Sequence, residues 1–165
     1  SEIGRGSTLS ICLPVVGQRD ARASRSRKSN ETAASTASGL IVLIEDDVNV
    51  ANAWGLLLEA EGYRVATAES AKEARAVIDH IDAAPNLIIS DFHLLDGSTG
   101  VEAVAMVREK FDELIPAFIV TGDTSKMVDQ ARETVNCIIL NKPVNTDELL
   151  KSAASAIETG RVPES

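Results

Sequence analysis

The chain has 165 residues, 44% of them hydrophobic and 25% charged, which is enough for one ordinary domain with a packed core. Aromatics are 3% and no apolar run approaches the ~18 residues of a membrane span, which argues against a base-stacking nucleic-acid binder and a transmembrane segment. Cys12 and Cys137 have no partnered spacing, which excludes a disulfide scaffold and a cysteine zinc site and suits reduced thiols in a cytoplasm.

The net charge of −9 is unevenly spread. Residues 1–38 hold six Lys/Arg against three acids, whereas residues 39–160 hold nine basic and 21 acidic residues. A body this acidic repels nucleic acid, so no nucleic-acid partner is expected. The chain starts at Ser1 and carries no signal-peptide pattern, so it reads as a piece of a longer cytoplasmic protein without direct membrane contact of its own.

Residues 1–16 open with the turn Gly4-Arg5-Gly6-Ser7-Thr8. Leu9, Ile11 and Leu13 then alternate with Ser10 and Cys12 up to Pro14, the period of a half-buried strand. Gly4-Arg5-Gly6 is not read as a phosphate loop, because no helix follows to supply an amide-lined N-terminus. Residues 17–38 contain only small, polar and charged side chains, too little apolar surface to offset the entropy of ordering. They read as a disordered linker, and their cluster from Arg19 to Lys28 as a solvated face.

From Gly39 to Gly160, short apolar runs alternate with helix-period stretches. The runs are Leu40–Ile44, Tyr63–Ala66, Leu87–Ile89, Ala117–Val120 and Cys137–Leu140. The first helix places Val50, Ala53/Trp54 and Leu57 on one face and ends near Gly62. Ser70 with Glu73 and Thr99 with Glu102 are capping boxes for the second and third. Met127/Val128, Ala131 and Val135 mark a fourth, and Asn145 with Glu148 opens a fifth that carries Leu149/Leu150, Ala153 and Ile157. Five strand–helix repeats predict an α/β fold with a doubly wound five-stranded parallel sheet, a flavodoxin-like (βα)5 order. Residues 161–165 form a tail.

In such a sheet, functional groups gather beyond the carboxyl ends of the strands. Those positions hold Glu45, Asp46 and Asp47 after the first run, and Asp91 after the third. They hold Thr121-Gly122 after the fourth and Asn141-Lys142-Pro143 after the fifth. Crowded carboxylates repel one another, and a hard divalent cation such as Mg²⁺ relieves that repulsion. A carboxylate held there can act as a nucleophile toward phosphorus, with Lys142 and Thr121 serving the other phosphoryl oxygens. Taken singly, each residue is ordinary: a solvated acidic loop, a helix cap, a surface lysine. Their placement on four strand ends is what makes them a site.

These residues identify a resemblance. Leu43-Ile44-Glu45-Asp46-Asp47, Ile89-Ser90-Asp91, Asp96-Gly97, Val120-Thr121-Gly122 and Leu140-Asn141-Lys142-Pro143 resemble the motifs of response-regulator receiver domains. The resemblance covers residues 39–160. It implies Asp91 as phospho-acceptor and Glu45 and Asp46 as the acidic pair of a Mg²⁺ pocket completed by the His93 backbone carbonyl. It implies Thr121 as switch hydroxyl and Lys142 as the site lysine, with Asp47 left as a helix-start residue. The implied partner is a histidine-kinase core or a histidine phosphotransfer domain. His93 is otherwise an exposed loop side chain, and His80 serves the carbonyls at a helix end.

Two positions depart from the family pattern. Ile139 stands where an aromatic is common, and the loop Phe92-His93-Leu94-Leu95-Asp96-Gly97 lacks the common proline. The loop and Thr121-Gly122-Asp123-Thr124-Ser125 resemble receivers fused to histidine kinases. Residues 4–14 are similar to the end of a histidine-kinase ATP-binding domain. Together they imply the C-terminal piece of a hybrid sensor histidine kinase, its parent anchored in a membrane or not, with no kinase activity in this piece and no output domain beyond residue 160. Ile139 also leaves open a receiver-like interaction module that is not phosphorylated. A metal-dependent phosphohydrolase is disfavoured because His93 stands where such enzymes usually place a second acid.

Overall fold

The computed structural model describes residues 38–122 and 133–163. Its elements in chain order are β1 (Leu40–Ile44), α1 (Val48–Ala60), β2 (Arg64–Ala68), α2 (Ala71–Asp79), β3 (Leu87–Asp91), α3 (Gly100–Phe111), β4 (Ala117–Thr121), β5 (Cys137–Asn141) and α4 (Thr146–Thr159). The helix α4 corresponds to the fifth of the sequence pattern. The N-terminal strand over Leu9–Leu13 and the fourth helical stretch at Met127, Val128 and Ala131 lie outside the described residues. Val135 lies in a turn just before β5.

The five strands form one parallel sheet in the order β2-β1-β3-β4-β5, the flavodoxin-like arrangement expected from the repeats. Strand alternation sends successive side chains to opposite faces. Val42, Ile44, Ile88, Ala117 and Ile119 pack against Ala74 and Ile78 of α2 and Ala103, Val104 and Val107 of α3. Ile41, Leu43, Leu87, Ile89, Phe118 and Val120 pack on the other face against Leu58 of α1 and Leu149, Ala153 and Ala156 of α4. Both faces of β1, β3 and β4 are buried, which is why those strands read as continuous apolar runs.

Several details differ from the sequence pattern. The second strand runs over Arg64–Ala68, later than Tyr63–Ala66, because Arg64–Ala68 pairs residue for residue with Leu40–Ile44. The third strand continues past Ile89 through Ser90 to Asp91, held by pairing of Asp91 with Val120. The buried stripe of α1 is Ala51, Gly55 and Leu58, one position on from Val50, Ala53/Trp54 and Leu57. Ala51 and Gly55 are small residues, which the hydrophobic pattern underweights. At α2, Ser70 accepts the Glu73 amide as predicted, but the Glu73 carboxylate takes the amide of Glu69 instead of closing the box on Ser70. The Thr99–Glu102 box at α3 is complete.

The pole opposite the strand carboxyl ends is tied by two side chains. The Arg108 guanidinium donates to the carbonyls of Ile115 at 2.6 Å, Val135 at 2.9 Å and Asn136 at 2.8 Å. Asn136, in the left-handed region at φ 53°, donates to the carbonyls of Leu114 and Gly160 and accepts the Val162 amide. These bonds join the starts of β4 and β5 to the ends of α3 and α4.

Candidate acceptor site at the strand carboxyl ends

Each functional side chain is delivered by the end of a strand. Hydrogen bonding from Glu45 N to the Ala68 carbonyl, at 3.0 Å, prolongs β1 pairing by one residue and fixes Glu45 above the sheet. Glu45 is 1% exposed. Asp46 follows at intermediate burial. Asp47 is withdrawn from the cluster by the helix it starts, its Oδ1 accepting the amides of Asn49 at 2.8 Å and Val50 at 3.3 Å. Those bonds hold its carboxyl below the ordinary range. This matches its reading as a helix-start residue.

Asp91 is the last residue of β3 and 9% exposed. Lys142 lies just past β5, where its amide donates to the Thr121 carbonyl at 2.8 Å. Its Nζ donates to Asp91 Oδ2 at 2.6 Å and stands 3.6 Å from Glu45 Oε2. The second distance is an ion-pair distance, too long for a hydrogen bond. Glu45 Oε2 is accordingly a buried oxygen without a hydrogen-bond donor. Thr121 ends β4, fully buried and paired with Asn141. His93 is exposed in the loop after Asp91, its ring edge-on to Phe92 and its backbone paired with Thr99. His80 Nδ1 lies 2.7 Å from the Ala76 carbonyl at the end of α2, in keeping with its expected capping role.

The electrostatics follow from crowding. Burial, reinforced by the Asp91 charge and opposed by Lys142, pushes the Glu45 carboxyl up to about 7. Burial works against the Lys142 ammonium, but the hydrogen bond and charge of Asp91, with Glu45 added, outweigh it and hold the amine above the usual lysine range. Carboxylate oxygens of Glu45, Asp46 and Asp91 lie within 4.8 Å of one another. Opposite ligands of a Mg²⁺ ion are ~4.2 Å apart, so this spread suits direct and water-mediated ligation together. An all-oxygen donor set, a surplus of negative charge and one orphaned buried oxygen fit a hard divalent cation.

Sequence reasoning passed over Gly100. A Cβ there would stand 2.3 Å from the Asp91 carbonyl oxygen and 3.0 Å from Ser90 Oγ. The helix α3 therefore begins in contact with the Asp91 backbone. A glycine just inside a capped helix start was the available signal, since glycine is otherwise unfavourable in a helix.

Comparison with known proteins agrees with this geometry. The family model described as response regulator receiver domain matches residues 41–154. The transcriptional regulatory protein GlrR of Escherichia coli is 32% identical over 120 residues, 72% of this chain and 26% of that protein. The C4-dicarboxylate transport transcriptional regulatory protein DctD of Pseudomonas aeruginosa is 28% identical over 128 residues, 74% of this chain and 26% of that protein. The chain thus spans about a quarter of the length of these curated relatives. Among solved structures, NtrX from Brucella abortus superposes with a TM-score of 0.62 at 28% identity, over 74% of this chain and 27% of that one. The receiver domain of PhyR from Erythrobacter litoralis superposes at 0.63 and 21% identity, over 78% and 96%, and shows the shared fold. With its five-stranded sheet and its acidic cluster at the strand carboxyl ends, the chain belongs to the response regulator receiver domain family of two-component signalling.

Proposed function

We infer that this receiver takes a phosphoryl group from a phosphohistidine onto Asp91 with Mg²⁺. The reading is supported chiefly by the 2.6 Å contact of Lys142 Nζ with Asp91 Oδ2 inside a cluster of three carboxylates. Glu45, Asp46, Asp91 and the His93 carbonyl would hold the ion, which supplies charge neutralisation at the phosphoryl oxygens. Asp91 attacks phosphorus, an acyl phosphate forms as the phosphorus–nitrogen bond breaks, and the imidazole departs with its electron pair and is then protonated. Lys142 neutralises charge on the transferred group, and the Thr121 hydroxyl donates to a remaining oxygen. The new group adds about 1.5 to 2 negative charges, which draws Thr121 and Lys142 inward, biases β5 and switches a protein-interaction surface.

The donor is a histidine-kinase core or a histidine phosphotransfer domain. Residues 1–16 are the end of a kinase ATP-binding domain, 17–38 a linker, 39–160 the receiver and 161–165 a tail, so the parent is a hybrid histidine kinase working in the cytoplasm. Support for this context comes from Gly4–Pro14 and from the loop after Asp91. Among the described residues no helix is long and apolar enough to cross a membrane.

A second reading, a receiver-like interaction module without phosphorylation, is favoured by Ile139, which packs half-buried beside the core where an aromatic switch is common. Incubation with a small phosphodonor and Mg²⁺, followed by intact mass measurement, separates the two. One added phosphate, absent in Asp91→Asn, supports phosphotransfer. No added phosphate and no cation binding supports the module.

A further inference from the structure

The loop from Asp91 to Gly100 is closed on itself. Gly100 N–H donates to the Phe92 carbonyl at 2.9 Å, Leu94 N–H to Ser98 at 3.2 Å and Gly97 N–H to Leu94 at 3.0 Å. His93 pairs with Thr99 in antiparallel fashion, and Gly97 turns the chain at φ 83°, a conformation that disfavours other residues. At the tip, Asp96 is exposed yet its carboxylate is engaged on both oxygens. Oδ1 accepts the Ser98 amide at 3.0 Å and the Ser98 hydroxyl. Oδ2 stands 3.5 Å from the Lys72 amide, with the Ala71 amide also acting on the carboxylate.

Ala71 and Lys72 open α2, and Ser70 Oγ caps the Glu73 amide. The first amides of any helix have no partner within it. Here those amides face a carboxylate from the acceptor loop, 24 residues away in sequence. At 3.5 Å the contact is less a hydrogen bond than an anion held at a helix N-terminus. The Ser98 bonds, joined by the α2 amides, hold the Asp96 carboxyl below its ordinary range.

We propose that Asp96 is a positioning residue that clasps the acceptor loop to the start of α2. Through it, the path of the loop past His93 sets the cation affinity of Glu45, Asp46 and Asp91, and the first turn of α2 responds when the cluster is filled. The cation part rests on the function proposed above; the clasp does not.

Backbone amide resonances of the full chain, followed during titration with Mg²⁺, test both. In the wild type, the Ala71 and Lys72 resonances move as Mg²⁺ binds. In Asp96→Ala they differ from wild type already without metal and no longer follow the titration, and the Mg²⁺ dissociation constant rises roughly 5–10-fold. Asp96→Asn keeps an acceptor oxygen without the charge and recovers part of the affinity. Ile78→Val, a core substitution in the same helix, lowers stability but leaves the dissociation constant unchanged. Wild-type affinity in Asp96→Ala, or the same loss in Ile78→Val, overturns the positioning role. A wild type that binds no Mg²⁺ refutes the cation part along with the proposed function. The clasp itself is refuted if metal-free Asp96→Ala leaves the Lys72 resonance where it is in the wild type.

Discussion

Lys142 Nζ donates to Asp91 Oδ2 at 2.6 Å, joining the ends of β5 and β3 across 51 residues of sequence. The ammonium also lies 3.6 Å from the buried Glu45 carboxylate, so one cation answers two acids.

Lys142→Met removes that cation and keeps most of the stem. Removing one partner of a fully buried pair costs about 3–5 kcal/mol, but the Lys142 side chain is 36% exposed and solvent screening reduces the cost. A loss of about 1–2 kcal/mol in urea denaturation is expected. Phosphorylation of Asp91 by a small phosphodonor should slow by roughly 10²-fold, the scale for losing one stabilising donor.

Glu45 makes metal-free stability depend on pH. Its folded carboxyl is raised from 4.5 to about 7, so the folded state binds the proton more tightly than the unfolded state. The resulting stabilisation is fully present below 4.5 and is lost as pH rises to 7. At ~1.36 kcal/mol per unit the difference is roughly 3 kcal/mol. Denaturation in chelator at pH 4.5 and pH 8 should show it, and Glu45→Gln should flatten it. Mg²⁺ should stabilise the wild type most above pH 7, where the carboxylate is charged.

Two glycine-to-alanine substitutions should move stability in opposite directions. At Gly100 the added methyl meets the Asp91 carbonyl oxygen at 2.3 Å, so α3 or the Asp91 backbone must shift. A loss of roughly 2 kcal/mol and slower phosphorylation are expected. At Gly55, inside α1, nothing lies within 4 Å of the added methyl. Helix propensity then governs, and a gain of about 0.5–1 kcal/mol should appear in thermal unfolding.

Arg108→Met tests the opposite pole. It leaves the carbonyls of Ile115, Val135 and Asn136 without their side-chain donor, at a cost of about 2–3 kcal/mol in urea denaturation. Mg²⁺ affinity, read by calorimetry well below the unfolding transition, should stay at the wild-type value because these bonds lie at the far ends of β4 and β5.

Much of this domain could be read along the chain. Apolar runs doubly buried in β1, β3 and β4 announced a parallel sheet, and Ser70, Thr99 and Asn145 marked helix starts that the structure keeps. Glu45, Asp46, Asp91 and Lys142 stood at strand ends, where this topology gathers side chains, and they do meet. The buried face of α1 was not legible because Ala51 and Gly55 carry little hydrophobic signal.

Residue type and period, which are local properties, thus determined the fold class and the identity of the clustered groups. Only the folded structure decided how those groups share charge: which carboxylate receives the Lys142 hydrogen bond, which oxygen of Glu45 is stranded, and that Asp47 belongs to its helix. It alone brought Asp96 to the start of α2 and Gly100 against Asp91. Hydrogen bonds and charge interactions depend on ångström separations between residues far apart in the chain, and those separations exist only once both faces of the sheet are packed.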